Sequence, residues 1–495
     1  MSTAPYAATD SVELDRTLQT AHDAAEAWSA TPPAGRATVL ENIADALEDA
    51  GGELIPLGMG ETSLAEARLS SELKRTAFQL RLFSEVLRDG SFLDVRIDHA
   101  DPDWPMGAPR PDLRRWKRPI GTVLVFSASN FPFAFSVAGG DTASALAAGN
   151  PVVVKAHEGH PELSERTAGV VRSVLRDSGA SKDLLGLIHG REAGAAAVQD
   201  SRIRAAGFTG SIPGGRALFD LAVSRPDPIP FYGELGSNNP VFVTPGAAAA
   251  RGEEITEGFL GSFTMGAGQF CTKPGTLFVP AGSNLVEGLR AAELPEVHPL
   301  LSPGIGEGHS RALTGLSEHS GVQVLAGGEA PGADADTVHP SPTLLLTSAE
   351  ALLADPEALE AECFGPTALV VEYDAADGLD QAVELARTFE GQLTASVFAE
   401  ENCPVEELLE VLAGIAGRVV WNQWPTGVSV THAQQHGGPY PATTAVGSTS
   451  VGTAAVERFL RPVAYQNLPQ RLLPPELRDA DPSGTPQMID GRRRA

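Results

Sequence analysis

The sequence predicts an α/β protein in which parallel strands alternate with helices. Short apolar runs and helix-compatible segments take turns between residues 120 and 223, and a second stretch of this kind runs from residue 256 to about 430. The 52 Gly and 38 Pro are spread along the chain, as expected where many turns join strands to helices. Such alternation favours a parallel sheet covered by helices on both faces. The 495 residues are enough for more than one packed core, so we expect about two or three domains.

The N-terminal region, residues 10–90, is predicted to be mostly helical because its apolar residues recur at helical spacing. One such repeat consists of Leu40, Ile43, Ala44 and Leu47. Residues 97–117 break this pattern and predict either an extended hairpin or an arm that reaches a neighbouring subunit. The tail, residues 463–495, is Pro-rich and polar, and we expect it to lie at the surface.

Strands and helices are predicted to alternate from residue 120 onwards. The predicted strands cover residues 120–126, 151–155, 184–188 and 205–209. The predicted helices cover residues 136–148, 161–175 and 214–223. Ligands of open parallel sheets bind at the carboxyl ends of the strands. Asn130, Lys155 and the turn at Gly210 follow predicted strands, so we expect them to line one crevice.

Composition and charge argue against several kinds of partner. The formal net charge of −27 repels nucleic acid and anionic membrane surfaces, so neither is expected to bind. No run of about 20 apolar residues predicts a membrane span, and residues 1–10 lack the pattern of a secretory signal. The 3 cysteines, Cys271, Cys363 and Cys403, offer neither a disulfide framework nor a CxxC pair. A reducing cytoplasm is therefore the expected location.

Cys271 is the candidate nucleophile. It lies in the segment GQFCTKPG, residues 268–275, whose small and polar residues are typical of a loop that exposes a thiol to a ligand. Thiolate chemistry requires a lowered pKa, which a helix N-terminus or a nearby cation would supply. The other two cysteines are interpreted as structural, since Cys363 adjoins apolar residues and Cys403 lies in a polar loop.

Glu234 is the candidate general base. It lies in the segment GELGSNNP, residues 233–240, and the aromatic residues before it predict a semi-buried turn. Burial is expected to raise the pKa of this carboxyl and to suit it for taking a proton from water. A thiol and a carboxylate in two Gly-rich loops are suited to covalent catalysis followed by hydrolysis.

Further candidate residues follow the predicted strands. Asn130, before Phe131-Pro132, is either an ordinary turn residue or an amide donor for an oxyanion. Gly210 and Ser211 lie in a Gly-rich turn that opens a helix and can hold a diphosphate. The turn lacks the GxGxxG fingerprint, so it is equally compatible with an ordinary strand-to-helix turn.

Carboxylates and a lysine in two other turns are suited to binding a nucleotide. Lys155 and Glu158 end a strand and can hydrogen-bond an adenosine ribose, and Glu362 offers a carboxylate beside Phe364. The histidines at 157 and 160 have no third ligand near them in the sequence, so no metal site is predicted.

Taken together, these segments resemble the aldehyde dehydrogenase superfamily over nearly the whole chain, from about residue 10 to residue 468. No single motif is decisive, but six motifs in this order and spacing are specific. The motifs are Asn130-Phe131-Pro132, Lys155 with Glu158, Phe208-Thr209-Gly210-Ser211, Glu234-Leu235-Gly236, Gly268-Gln269 with Cys271, and Glu362 with Phe364-Gly365-Pro366.

The resemblance implies a subunit with a Rossmann-like cofactor domain, an α/β catalytic domain and a β oligomerisation arm. On this chain the cofactor domain maps to residues 1–99 and 118–233, and the catalytic domain to residues 234–457. The arm and C-terminal tail map to residues 100–117 and 458–495. A homodimer or homotetramer is implied.

The resemblance also implies a role for each candidate residue. Cys271 attacks the aldehyde, and Asn130 with the Cys271 backbone N–H holds the oxyanion. Glu234 then activates the water that hydrolyses the thioester. The implied cofactor residues are Lys155 and Glu158 at the adenosine ribose, Gly210 and Ser211 at the diphosphate, and Glu362 and Phe364 at the nicotinamide ribose.

Residues that differ from the common family sequence indicate which subgroup of the family the chain resembles. Ala128-Ser129 stands where the family commonly has Pro-Trp. With residues 131–141, 436–441 and 459–466, the chain is similar to the 2,5-dioxopentanoate (α-ketoglutaric semialdehyde) dehydrogenases, which form 2-oxoglutarate. Close relatives oxidise aliphatic (fatty) aldehydes.

The expected cofactor is NADP or NAD, and the sequence contains an argument for each. Glu158 would accept the 2′-hydroxyl of NAD and repel a 2′-phosphate, whereas Arg191, after the next strand, would bind the 2′-phosphate of NADP.

Three other functions compete with aldehyde oxidation. An acylating relative would pass the thioester to coenzyme A, but such enzymes usually lack the glutamate that this chain retains as Glu234. A Cys–His hydrolase is disfavoured because no histidine is expected in a comparably shaped Gly-rich turn. A non-catalytic descendant of the fold would have lost Cys271 or Glu234, and both are present.

Overall fold

The computed structural model describes residues 6–328, 332–334, 337–481 and 483–494. Residues 1–5, part of the segment examined for a secretory signal, lie outside this described part.

The helices are α1 Ser11–Ala30, α2 Pro33–Asp49, α3 Gly51–Thr62, α4 Glu66–Asp89, α5 Gly140–Ala148, α6 Pro161–Asp177, α7 Arg191–Gln199, α8 Ile212–Val223, α9 Pro245–Thr264, α10 Asn284–Ala291, α11 Pro303–Ser317, α12 Ala349–Ala354, α13 Pro356–Leu359, α14 Asp380–Ala386 and α15 Glu406–Ile415. The strands are β1 Val95–Asp98, β2 Leu113–Pro119, β3 Val123–Phe126, β4 Val152–Lys155, β5 Leu185–Ile188, β6 Ala205–Thr209, β7 Phe231–Glu234, β8 Val241–Val243, β9 Thr276–Pro280, β10 Gln323–Gly327, β11 Gly332–Asp334, β12 Thr337–His339, β13 Thr343–Ser348, β14 Thr367–Tyr373, β15 Gln392–Phe398, β16 Ala416–Trp421, β17 Leu460–Gln466, β18 Gln487–Ile489 and β19 Arg492–Arg494.

The N-terminal region is helical from α1 to α4, which confirms the prediction from its apolar repeat. Helix α1 begins where the Asp10 carboxylate accepts the N–H groups of Val12 and Glu13, both at 2.9 Å, and so satisfies two of the free donors of the first turn. Helix α4 ends at Gly90, which adopts a left-handed conformation that favours glycine.

The first parallel sheet has the order β5-β4-β3-β6-β7. Alternate residues of its strands point to opposite faces, and each face packs into a separate apolar cluster. On one side Val152 and Val154 join residues of α2, α4, α5 and α6, and on the other Val153 joins residues of α1 and α7. The predicted parallel α/β sheet is thus confirmed. Its strand order reverses between β3 and β6, and open sheets of this kind bind ligands in the crevice beside such a point.

One helix of this region begins later than predicted. Residues 136–139 form a turn, and α5 begins at Gly140. The N–H of Gly139 donates to the Ser136 carbonyl and the N–H of Gly140 donates to the Ala134 carbonyl, both at 2.9 Å. These hydrogen bonds close turns between residues 134 and 140, so the helix begins only at Gly140.

The second sheet has the order β10-β13-β14-β9-β8-β15-β16 and is parallel except for β10, which runs antiparallel to β13. Its strands also divide their residues between two apolar clusters. Phe278 and Val371 lie on one face, and Val279 and Val370 lie on the other. The second alternating region is therefore also an α/β layer, as predicted.

A third sheet, of order β17-β2-β1-β18-β19, pairs β1 and β2 with strands from the C-terminal end of the chain. Strands β1 and β2 are antiparallel, and a bridge between Asp101 and Arg110 continues the hairpin expected at residues 97–117. Most described residues of the C-terminal tail are exposed or half-buried, so the tail lies at the surface as expected. It also supplies most of β17 together with β18 and β19, and it buries Leu473 and Leu477, which pack into the large N-terminal apolar cluster. That this sheet makes subunit contacts remains a prediction.

None of the helices in the described ranges is long and apolar enough to cross a membrane.

Candidate active site

The loop that carries Cys271 has an unusual backbone. Gly266, Ala267 and Gly268 all have positive φ angles, between 54° and 68°, in the short 3₁₀ segment after α9. A Cβ atom on Gly268 would lie 2.1 Å from the carbonyl oxygen of Gly365. Only glycine fits there, so the Cys271 loop packs directly on the turn that follows Glu362.

Two polar side chains anchor this loop, and neither was identified from the sequence. Asn239, with a φ of 53°, donates its amide to the carbonyls of Cys271 at 2.8 Å and Lys273 at 2.9 Å. The Nζ atom of Lys273 donates to the carbonyls of Cys363 and Thr367, both at 2.6 Å. For Asn239, the only signal in the sequence was the Asn-Asn-Pro segment that follows Glu234.

The structure brings Cys271 and Glu234 together through His436. The Sγ atom of Cys271 lies 3.5 Å from Nε2 of His436, and that nitrogen lies 2.8 Å from Oε1 of Glu234. The Ser450 hydroxyl donates to the other Glu234 oxygen. One ligand atom from each of Cys271, Glu234 and His436 lies within 4.8 Å of the other two. A thiol, a carboxylate and an imidazole thus face one another.

The expected pKa shifts of both reacting groups are wrong in this arrangement. Burial by itself raises the pKa of the Glu234 carboxyl, but the attraction of His436 and hydrogen bonds from His436, Ser450 and Cys271 outweigh burial and lower it. Burial, and then the Glu234 carboxylate, raise the pKa of the Cys271 thiol well above its usual value. The thiol is therefore neutral beside an ionised carboxylate that can accept its proton.

His436 corrects a second expectation, since it does stand in a Gly-rich turn, before Gly437-Gly438. Its side chain is almost wholly buried, and its backbone N–H donates to Thr449 Oγ1 at 2.9 Å. A nucleophile–histidine pair of the hydrolase type needs a third group to orient the histidine. Within the described ranges, Nδ1 of His436 is buried without a hydrogen-bond partner. The proximity to Cys271 therefore lacks the third member of a triad.

Asn130 lies beside the Cys271 loop, where its amide Nδ2 donates to the Gln269 carbonyl at 2.9 Å. The buried carboxylate of Glu72 holds the turn after Asn130 by accepting the N–H groups of Phe133 and Ala134, both at 2.8 Å. Gln269 lies two residues before Cys271, so the Asn130 amide lies close to the thiol loop, and its role as an oxyanion donor remains a prediction.

A cavity of about 230 Å³ opens onto Cys271. Its wall combines aromatic rings with cationic side chains. The lining residues include Arg68, Arg75, Phe131, Phe135, Phe270 and His436. The cavity can hold a small aldehyde whose carbonyl faces the thiol.

Lys155, Glu158 and Arg191 meet at the carboxyl edge of the first sheet. Oε1 of Glu158 lies 3.8 Å from Nζ of Lys155 and 3.4 Å from Nε of Arg191. Lys155 is buried at the end of β4, and this burial lowers its pKa although Glu158 opposes the shift. The Arg191 side chain is 87% exposed, so it can move to meet a ligand.

Gly210 and Ser211 lie between β6 and α8, at the same edge of the sheet. Ser211 caps α8 by accepting the N–H of Gly214 at 3.3 Å, and the helix N-terminus faces the crevice edge with its free N–H groups. The N–H of Gly210 donates to the Glu234 carbonyl at 3.0 Å, so the turn is attached to the strand that carries the base.

Glu362 lies where the loops of Cys271 and Glu234 meet. A Cβ atom on Gly236 would lie 2.2 Å from Oε2 of Glu362, so glycine at 236 makes room for this carboxylate. Burial raises the pKa of Glu362 to about 7, although Lys273 and the Ser237 backbone oppose the shift. Phe364 is half-buried in the turn that follows.

These donors fit a dinucleotide. A helix N-terminus suits a diphosphate, and the Lys155, Glu158 and Arg191 group suits a ribose with or without a 2′-phosphate. A third carboxylate, Glu362, lies on the thiol side. The role of each of these residues in binding a cofactor remains a prediction.

Comparison with known proteins agrees with this geometry. The profile of the aldehyde dehydrogenase family matches residues 2–462. The chain is 44% identical over 489 residues to alpha-ketoglutaric semialdehyde dehydrogenase 2 of Azospirillum brasilense, covering 97% of this chain and 91% of the relative. It is 42% identical to the alpha-ketoglutaric semialdehyde dehydrogenase of Acinetobacter baylyi, with the same coverage of 97% and 91%. Among solved structures, the NAD-dependent aldehyde dehydrogenase from Sinorhizobium meliloti has a TM-score of 0.76 at 22% identity, covering 94% of this chain and 89% of that one.

Proposed function

The chain belongs to the aldehyde dehydrogenase family, and from that premise we propose that it oxidises 2,5-dioxopentanoate to 2-oxoglutarate with NAD(P). The observation that carries this proposal is the contact of Cys271, His436 and Glu234 at one end of a cavity with cationic residues in its wall. The similarity to two alpha-ketoglutaric semialdehyde dehydrogenases supports the choice of substrate.

The first step is addition of the Cys271 sulfur to the aldehyde carbon. The thiol proton passes to the Glu234 and His436 pair, which lies within hydrogen-bonding distance of the sulfur. The carbonyl oxygen becomes an oxyanion that the Asn130 amide and the Cys271 N–H stabilise. A dinucleotide held by Lys155, Ser211 and Glu362 would supply the hydride acceptor for this tetrahedral carbon, and loss of the hydride would leave a thioester on Cys271.

The second step is hydrolysis of the thioester by water. The proton taken from the thiol first leaves the pair for solvent, so the Glu234 carboxylate is free to take a proton from water as the water oxygen bonds to the acyl carbon. The bond to sulfur then breaks, the Cys271 thiolate takes up a proton, and the carboxylate product is released. His436 and Ser450 hold the Glu234 carboxylate ionised, so the base is ready at neutral pH. Because an aldehyde loses hydride poorly until a nucleophile has added, this residue set performs both halves of the reaction.

We propose NADP as the preferred cofactor. Two cations, Lys155 and Arg191, flank a single carboxylate, Glu158. The three side chains together therefore carry one excess positive charge, at the position where a 2′-phosphate would lie. The exposed guanidinium of Arg191 can bind this 2′-phosphate. NAD would bind through the Glu158 carboxylate alone.

Steady-state kinetics on a panel of aldehydes tests the proposal. We expect the wild-type enzyme to reduce NADP with 2,5-dioxopentanoate and to work less well with pentanal and longer fatty aldehydes. Cys271→Ala should abolish turnover, whereas Cys363→Ala, which changes a buried cysteine of the apolar core, should retain it. Turnover that survives in Cys271→Ala would rule out the covalent mechanism, and a preference for fatty aldehydes would rule out the substrate.

A further inference from the structure

Two arginines line the cavity in front of Cys271, and one of them has protein partners. Arg68 Nη1 lies 2.5 Å from the Glu72 carboxylate, and its Nη2 donates to the Asn130 carbonyl at 3.4 Å. The Arg68 guanidinium is thus occupied by the protein itself.

Arg75 differs from Arg68. In the described part of the chain it forms no ion pair and no hydrogen bond, and its Nη1 atom is buried without a partner. Its guanidinium carbon lies 5.4 Å from the ring centre of Phe135 and 5.9 Å from that of Phe131, so the rings fix its position. Burial lowers the pKa of Arg75, while Glu72 and Cys271 oppose this shift.

A buried cation without a counter-ion is costly, and proteins rarely retain one without a partner. Arg75 lies in the cavity wall together with Cys271, within a chain whose net charge is −27. The nearest carboxylate on its own helix, Glu72, is already committed to Arg68 and two backbone N–H groups. No carboxylate of the described residues pairs with the half-buried Arg75, so an anion that enters the cavity would supply the missing counter-ion.

We propose that Arg75 binds the 2-oxocarboxylate end of the substrate and thereby selects anionic semialdehydes over neutral aldehydes. This inference rests on the proposed function, because it assumes an aldehyde carbonyl at Cys271. A guanidinium presents two parallel N–H donors, and a carboxylate with a neighbouring 2-oxo group presents matching acceptors. Four carbon–carbon bonds separate the two ends of 2,5-dioxopentanoate by about 5 Å, a length that a cavity of about 230 Å³ accommodates.

The same contact explains why neutral aldehydes would be poorer substrates. A fatty aldehyde would exclude water from the cavity and leave the Arg75 charge unpaired against its alkyl chain. Sites built to pair a charged group reject analogues that lack it far more strongly than hydrophobic pockets reject an extra methylene. Arg75 would thus act as a specificity-determining residue, separate from the groups that break bonds.

The test compares Arg75→Met with wild type on two substrates of equal chain length, 2,5-dioxopentanoate and pentanal. We expect kcat/KM for the anionic substrate to fall about 100-fold, as for loss of one partner of a buried charge pair. For pentanal it should change less than about threefold or rise. Lys74→Met, which removes an exposed cation from the same helix, is the matched control and should leave both values unchanged.

An equal fall in kcat/KM for both substrates, or no fall for the anionic substrate, would overturn the assignment of Arg75. Arg75→Lys keeps the charge without the two-pronged geometry, and should lose less than Arg75→Met. If a thermal melt shows that Arg75→Met is unfolded, Arg75→Lys is compared with wild type on the same two substrates instead.

A binding measurement separates this inference from the proposed function. In wild type, 2-oxoglutarate should slow alkylation of Cys271 by iodoacetamide, read by intact mass, and it should not do so in the Arg75 variants. Equal protection in wild type and variants overturns the role of Arg75 whether or not any aldehyde is oxidised. Absence of turnover with every aldehyde, together with Arg75-dependent protection, would instead refute the proposed function alone.

Discussion

Glu72 offers the sharpest test of how the fold positions the oxyanion donor. Its carboxylate is fully buried and accepts the N–H groups of Phe133 and Ala134, both at 2.8 Å, in the turn that follows Asn130. Each hydrogen bond to a charged group contributes about 1.5–3 kcal/mol, so the two together stabilise the closed turn by about 3–6 kcal/mol. Glu72→Ala should therefore open this turn locally, because both buried N–H groups lose their acceptor.

Hydrogen exchange measured by mass spectrometry reads that opening directly. A loss of about 3–6 kcal/mol corresponds to exchange at Phe133 and Ala134 that is about 10²–10⁴ times faster. Glu72→Gln keeps an oxygen acceptor and should give an intermediate increase, whereas Glu85→Ala, an exposed acid on the same helix, should give none. Unchanged exchange at these two amides in Glu72→Ala would refute the idea that this carboxylate holds the turn.

Three further predictions concern the catalytic and cofactor residues. Asn130→Ala should lower kcat about 10²–10³-fold in steady-state assays, because one oxyanion donor is lost, and a change below about threefold would exclude that role. His436→Gln removes a group that lowers the pKa of Glu234 and leaves burial to raise it, so the acid limb of the pH–rate profile should move to higher pH; a limb that stays in place would show that His436 does not hold the base ionised. Arg191→Ala should lower kcat/KM for NADP about tenfold or more while that for NAD stays similar, and equal effects on both cofactors would place Arg191 away from the 2′-phosphate.

The periodicity of the chain predicted the α/β layers well because apolar alternation and helical spacing are local properties. Leu40 and Val153, for example, each lie in the apolar cluster that their spacing indicates. The strands of the C-terminal tail were not predicted because they gain their stability from pairing with β1 and β2, which lie more than 300 residues earlier in the chain. Such pairing leaves little trace in a short polar sequence.

The sequence indicated which candidate residues lie close together at the site but not their electrostatics. Cys271 and Asn130 stand in loops, and Glu234 ends strand β7 before a Gly-rich loop, and the glycines of these segments could be recognised in the sequence. The direction of the pKa shift at Glu234 could not be predicted from the sequence. It depends on His436 and Ser450, which lie about 200 residues later in the chain. Arg75 was missed for a related reason, since only packing shows that a helical arginine is half-buried with an unpaired Nη1 atom.

The covalent intermediate on Cys271 is the central claim, and one mass measurement tests it. Glu234→Gln should still form the thioester but hydrolyse it about 10²–10⁴ times more slowly, because the general base is lost. Quenching this variant in acid, during turnover of 2,5-dioxopentanoate with NADP, should yield protein carrying the acyl group on the peptide that contains Cys271, with about one reduced cofactor formed per acylated subunit. Protein of unmodified mass, or an acyl group on any other residue while reduced cofactor accumulates, would contradict the account.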